Sequence, residues 1–168
     1  MSAPPPFEAF VLAHGPELLA FARRLTLDHH RAEDIVQDVL ARLGLSWARL
    51  DGVSDLRAYA YRAVLNDFLS WRRRLSSRER PAAELGDLAV PGADEGVGDR
   101  DLLRATLARL NPVQRAVLVL RYYHDRPDAE IAELLGCREA TVRSHARRAL
   151  ATLRAHAAPD RTSEGSSR

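Results

Sequence analysis

Asp128 to Arg154, DAEIAELLGCREATVRSHARRALATLR, decides the fold of this chain. Apolar residues recur at helical spacing on both sides of a Gly136-Cys137 break: Ile131, Leu134 and Leu135 before it, Val142, Ala146, Ala149, Leu150 and Leu153 after it. Gly136 stands where the chain must leave one helix and turn sharply into the next, using the left-handed conformation that glycine alone takes freely. The second helix carries Arg143, Arg147, Arg148 and Arg154 with no acidic residue between them. Two short helices about a tight turn, the second of them cationic, are the layout of a helix-turn-helix whose second helix lies in a major groove. A helical hairpin with a solvated basic face has the same periodicity, so the rest of the chain must separate the two readings.

At 168 residues the chain can bury one sizeable core or two small ones. It is 46% hydrophobic and 29% charged, the composition of a soluble globular protein. No stretch approaches the roughly 20 apolar residues of a membrane helix, so no membrane association is expected. The opening MSAPPPFEAF has neither a basic segment nor a long apolar one and predicts no secretory signal. The single cysteine, Cys137, excludes an internal disulfide framework and fits the cytoplasm. A formal net charge of +2 argues little for nucleic acid by itself; the placement of the charge says more. There is no lysine, so the cations are arginines, whose planar guanidinium suits phosphates, guanine edges and stacking.

Working back from the deciding stretch, Asn111-Pro112 opens a predicted helix with Val113, Ala116, Val117 and Leu120 inward. Leu102, Leu103, Leu107 and Leu110 line the one before it. Composition changes over 81–98 (PAAELGDLAVPGADEGVG), which has prolines, glycines and acids but no basic residue. Such a segment cannot bury enough apolar surface to fold alone and reads as a flexible acidic linker, able to reach roughly 60 Å when extended. Ahead of it, Phe7 to Ala13 predicts a short helix and Pro16 the first residue of a new one, with Leu18, Leu19, Ala22 and Leu25 inward. Asp28 is placed to cap the next helix, whose core stripe is Ala32, Ile35, Val36, Val39, Leu40 and Leu43. Its opposite face holds Glu33, Asp34, Gln37 and Asp38. Ser54 or Asp55 starts a third helix ending in Arg72-Arg73-Arg74. Leu56, Tyr59, Ala60, Ala63, Val64 and Phe68 are its expected core. Trp71 beside the arginines matches the recipe for single-stranded nucleic acid, in which rings stack on bases and guanidiniums hold phosphates. The polar tail, 157–168, reads as disordered.

Catalysis finds little support. His14, His29 and His30 flank helices without cysteine or carboxylate at ligand spacing, so no metal is expected. Asp34 and Asp38 lie one turn apart with no nucleophile or third ligand beside them. Their face reads as solvated, or as a docking face for a basic partner. No glycine-rich loop cradles a phosphate, and neither a cofactor nor an enzymatic activity is expected.

In this order the pieces resemble an RNA polymerase sigma factor of the extracytoplasmic-function group of the sigma-70 family, most of all its SigE-like members, from Phe7 to Leu153. AEDIVQDVLARL (Ala32 to Leu43) is similar to the segment that docks on the clamp helices of core RNA polymerase. RAYAYRAVLNDFLSWRRR (Arg57 to Arg74) resembles the −10 recognition helix, and Leu110 to Arg154 the −35-reading domain. The resemblance implies an all-α fold of two small helical domains, a sigma region 2 helical bundle in 1–80 and a sigma region 4 helix-turn-helix in 99–156, joined by the linker 81–98. It implies core RNA polymerase and promoter DNA as partners and permits an anti-sigma factor. Asp34, Gln37 and Asp38 match clamp-contacting positions. Asn66 matches the position associated with a captured −10 base, and Trp71, Arg72, Arg73 and Arg74 would lie beside that bubble. Arg143, Ser144, Arg147 and Arg148 match the groove-facing positions of the −35 helix. Arg138 stands where the family often has serine, and Ala140 where it often has glycine, so the family's usual N-cap is missing. The rival reading is a dimeric helix-turn-helix regulator acting without polymerase, which would need neither the acidic face nor the cluster at Asn66, Trp71 and the arginines.

Overall fold

The computed structural model describes residues 5–78 and 97–157. The predicted tail beyond Ala157 and most of the predicted linker lie outside the described residues. Two compact units divide between Arg100 and Asp101, and every regular element among the described residues is helical.

In the first unit, α1 (Phe7–Thr26) runs unbroken, with Pro16 inside it rather than opening a new helix. Proline leaves the carbonyl four residues back without its helical partner. Here that residue is Leu12, which is 81% exposed, and Pro16 is exposed too, so the break faces water and the buried stripe passes beneath it. Phe10 and Phe21 join the predicted Leu18, Ala22 and Leu25 in that stripe. Leu27 ends α1 in the left-handed conformation (φ 56°), its N–H donating to the Arg23 carbonyl at 2.9 Å. Asp28 then caps α2 (His29–Ser46) as predicted, its carboxylate accepting the Arg31 N–H at 3.0 Å.

So short a connection folds α2 back along α1. Gly44 near the end of α2 meets Phe7 at the start of α1, where a Cβ would come within 3.1 Å of the ring. A single 3₁₀ turn (Trp47–Arg49) follows. Its Trp47 indole packs 5.2 Å from the Phe7 ring and 5.1 Å from Phe10, and donates to the Pro5 carbonyl at 2.9 Å.

Asp55 caps α3 (Leu56–Ser77), which continues past the predicted end at Arg74. Its buried face is Ala60, Tyr61, Val64, Leu65 and Phe68. The expected core position of Tyr59 is corrected: it is 46% exposed, and Tyr61 goes inward instead, 4.9 Å from Phe21. Helical spacing admits either tyrosine; the one adjoining the stripe of Val64, Leu65 and Phe68 is buried. Ion pairs Arg42–Asp67 and Arg57–Glu17 tie α3 to α2 and α1.

The second unit contains α5 (Pro112–Leu118), a π-helical turn (Val119–Tyr123), α6 (Asp128–Leu135) and α7 (Glu139–Ala157). The helix preceding them, α4 (Val97–Ala108), starts within the segment predicted as linker. A reciprocal capping box starts α5, with the Asn111 side chain accepting from the Gln114 N–H at 2.8 Å. Leu107 and Leu110 are buried, but Leu102, expected inward, is 67% exposed. Part of the work assigned to leucines is done by Arg115, 4% exposed, whose guanidinium donates to the carbonyls of Leu107 (3.0 Å) and Leu110 (3.4 Å). Ala116 to Leu120 form the core with Ile131, Val142, Ala146 and Ala149.

Candidate nucleic-acid and docking interfaces

The turn between α6 and α7 is a Schellman motif. Gly136 takes φ 64°, its N–H donates to Glu133 O at 3.3 Å, and the Cys137 N–H donates to Ala132 O at 3.0 Å. A Cβ on Gly136 would meet nothing within 4 Å, so the backbone conformation, not crowding, asks for glycine. The Arg138 carbonyl accepts the N–H groups of Thr141 (2.9 Å) and Val142 (3.1 Å), opening α7 where the family's serine is missing. Glu139 in the first turn suits the positive end of the helix dipole. Arg121–Asp128 (2.9 Å) and Arg126–Glu130 (3.1 Å) fix the entry to α6.

Burial of Val142, Ala146 and Ala149 turns Arg143, Arg147 and Arg148 outward; all three are exposed, and Ser144 is half-buried on their flank. Arg143 lies 3.6 Å from Glu139, one turn back. The guanidiniums of Arg147 and Arg148 carry no ion pair or hydrogen bond among the described residues.

Asp34, Gln37 and Asp38 are exposed on the outer face of α2, opposite Ile35, Val36 and Val39. Neither aspartate is ion-paired among the described residues. Glu33 differs, being held by His29 at 2.9 Å and approached by Arg23 at 3.9 Å. Among the described residues no three His, Cys, Asp or Glu side chains group as a metal site.

Asn66 is exposed at an open cleft of about 360 Å³ between α2 and α3, shared with Tyr59, Arg42, Asp67, Val39 and Ala63. Tyr59 is the residue sequence reading missed here, having been assigned to the core. Trp71 faces the other end of α2. It packs against Phe68 (6.2 Å between ring centroids), and the Arg31 and Arg72 guanidiniums lie 5.1 and 5.7 Å from its ring. Its surroundings are therefore partly filled. Arg73 donates to Ser70 at 3.1 Å, and Arg74 is exposed. Asn66 and Trp71 thus share a helix but face different neighbours.

The perturbed groups lie between α1 and α3, away from these surfaces. Burial, followed by the hydrogen bond to Glu17 and its negative charge, pushes the Tyr61 phenol up to about 12 against the opposing effect of Arg57. The hydrogen bond to Glu17 raises Arg57 above its ordinary value.

Two family profiles match: "Sigma-70 region 2" over residues 10–78 and "Sigma-70, region 4" over residues 100–153. The RNA polymerase sigma-E factor of Streptomyces avermitilis is 38% identical over 151 residues, covering 88% of this chain and 83% of that protein. The ECF RNA polymerase sigma factor SigG of Mycobacterium tuberculosis is 34% identical over 183 residues, covering 90% of this chain and 50% of SigG. Among solved structures, the sigma factor RpoE of Bartonella quintana, crystallised with the anti-sigma factor NepR, superposes with a TM-score of 0.74. It is 27% identical, with 92% of this chain and 98% of that one covered. Both sigma-70 regions are present in order, and the relatives align across most of this chain, which therefore belongs to the RNA polymerase sigma-70 family, in its extracytoplasmic-function group.

Proposed function

We propose that this sigma factor binds core RNA polymerase through Asp34, Gln37 and Asp38, reads −35 duplex DNA with Arg143, Ser144, Arg147 and Arg148, and holds the melted −10 strand with Asn66, Trp71 and Arg72 to Arg74. The observation that carries this reading is the exposure of uncompensated charge at the matched positions. Asp34 and Asp38 on α2 and Arg147 and Arg148 on α7 face solvent without an ion-pair partner among the described residues. No internal ion pair among the described residues has to be broken before these charges meet a partner. A guanidinium forked onto guanine O6 and N7 contributes about 1–3 kcal/mol of base discrimination.

At the −10 element, extruding a base costs a few kcal/mol, and hydrogen bonds with stacking offset it. The cleft beside Asn66 supplies both, with an amide at its rim and the exposed Tyr59 ring, where base stacking contributes about 1–3 kcal/mol. Strand opening then needs no ATP, and the chain acts by binding, not as an enzyme, in the cytoplasm where polymerase works. In this reading 1–80 form region 2, 81–98 the connector and 99–156 region 4, with 157–168 a tail. The B. quintana sigma factor solved with NepR supports an anti-sigma partner here as well.

The test is co-elution of the purified chain with bacterial core RNA polymerase, followed by transcription from a genomic promoter pool. A stable complex initiating from a shared −35/−10 pair is the expected result. Absence of a complex, with tight dimeric binding to duplex DNA alone, would overturn it in favour of the regulator.

A further inference from the structure

Arg31 matches none of the positions considered above, yet its charge is poorly accommodated by the fold. It is the third residue of α2, in the first turn, where the helix dipole disfavours a cation. Asp28 takes its backbone N–H at 3.0 Å, but the guanidinium has no ion pair and no hydrogen bond among the described residues. None of its five N–H donors meets an acceptor among the described residues. The group lies instead 5.1 Å from the ring of Trp71, and Arg72 lies 5.7 Å from the same ring. Arg73 and Arg74 follow on α3, both exposed. Two guanidiniums thus lie beside one indole, and neither is ion-paired among the described residues. The ring's negative face offsets part of their repulsion. An anion held among them would offset the rest, and the nearest chemistry that brings one is the phosphate backbone of an opened strand.

We propose that Arg31, supported on Trp71, contacts a backbone phosphate of the melted −10 strand and so extends that interface from α3 onto α2. The inference rests on the −10 reading of α3 and adds a contact outside the −10 helix. It also gives Trp71 a second role, as the platform that positions Arg31.

The test uses holoenzyme assembled with core polymerase and a fluorescein-labelled non-template single strand from a promoter it transcribes, with affinity measured over a range of salt. For Arg31→Gln the slope of log K against log salt is expected to shrink by about 0.7, the counterion release of one single-strand phosphate. Arg31→Lys, which keeps the charge, is expected to keep the slope. An Arg31→Gln holoenzyme that binds more weakly with the wild-type slope would mean that Arg31 acts only by packing against Trp71, and the proposal falls. A second measurement needs no variant: phenylglyoxal modification of wild-type holoenzyme, read by mass spectrometry, should show Arg31 protected by the strand. Unchanged modification at saturating strand overturns the contact. A wild-type holoenzyme that fails to retain the strand at all overturns the −10 reading and Arg31 with it, whereas retention with an unaltered slope overturns Arg31 alone.

Discussion

Replacing Arg148 by alanine removes an exposed guanidinium that has no partner among the described residues, so the fold should lose little. Surface changes of that kind stay within about 0.5 kcal/mol. The Arg148 carbonyl, which accepts from Thr152 at 3.1 Å, belongs to the backbone and survives the substitution. If the side chain forks onto a guanine, its loss costs about 1–3 kcal/mol, or roughly 5- to 150-fold in promoter use. Arg143 provides an internal comparison. Its approach to Glu139 at 3.6 Å is an exposed one-turn pair, worth about 0.3–0.5 kcal/mol, that must loosen before the guanidinium engages DNA. Arg143→Ala should therefore cost about twofold less than an equivalent unpaired contact.

The assay is run-off initiation by reconstituted holoenzyme on a promoter with its −35 element intact and on one with those bases changed. Arg148→Ala is expected to lose activity on the intact promoter and to match wild type on the altered one. If changing the −35 bases affects both enzymes equally strongly, Arg148 is not reading them. A uniform loss on both promoters, with a salt slope reduced by about 0.9, would mark a duplex phosphate contact in place of base reading.

Further expectations follow from the same structure. Asp34→Arg combined with Asp38→Arg should abolish co-elution with core polymerase while leaving the far-UV circular dichroism melt intact, since neither carboxylate is paired within the described fold; undiminished binding would sink the docking assignment. Gly136→Ala forces a β-carbon into φ 64°, a cost of about 1–2 kcal/mol, and should lower the melting temperature; an unchanged melt would refute the Schellman account. Asn111→Ala removes the capping box of α5 and should destabilise by about 1 kcal/mol in urea titration, with the slope unchanged. Tyr61 keeps its proton in the folded state to about 12, above its unfolded value near 10, so its contribution is complete below about 10 and lost as pH rises toward 12. Tyr61→Phe should flatten stability against pH across that window; an unchanged decline would place its cause elsewhere.

The deciding stretch was legible because two independent signals coincide in it. Apolar spacing gave Ile131, Val142, Ala146 and Ala149 as core, and Gly136 marked a left-handed turn that glycine takes without strain. Caps were equally readable, with Asp28, Asp55 and Asn111 each accepting the N–H that their position promised. The misses share a cause. Pro16 is tolerated inside α1 because the carbonyl it orphans, on exposed Leu12, is open to water. Tyr59 and Tyr61 satisfy the same periodicity, and the partner helices chose between them. Leu102 shares a leucine stripe with Leu107 and Leu110 yet is exposed, while Arg115 is buried on the carbonyls of Leu107 and Leu110, a contact no hydropathy pattern displays.

Glu33 and Asp34 show why surfaces are harder to read than cores. They are adjacent acids on one helix, alike in composition and pattern. A rotation of about 100° between successive residues sends Glu33 toward His29 and Arg23, where its charge is compensated, and Asp34 to solvent, where it is not. The same division runs through the cations: Arg42 and Arg57 are taken up by Asp67 and Glu17, while Arg147 and Arg148 stay uncompensated. In the sequence all of these count equally toward a net charge of +2. Folding cancels some and leaves others uncompensated, negative at Asp34 and Asp38 on α2 and positive at Arg147 and Arg148 on α7. A basic protein surface and a polyanion can therefore be engaged by one nearly neutral chain, and Arg31, uncompensated beside Trp71, falls on the polyanion side of that division.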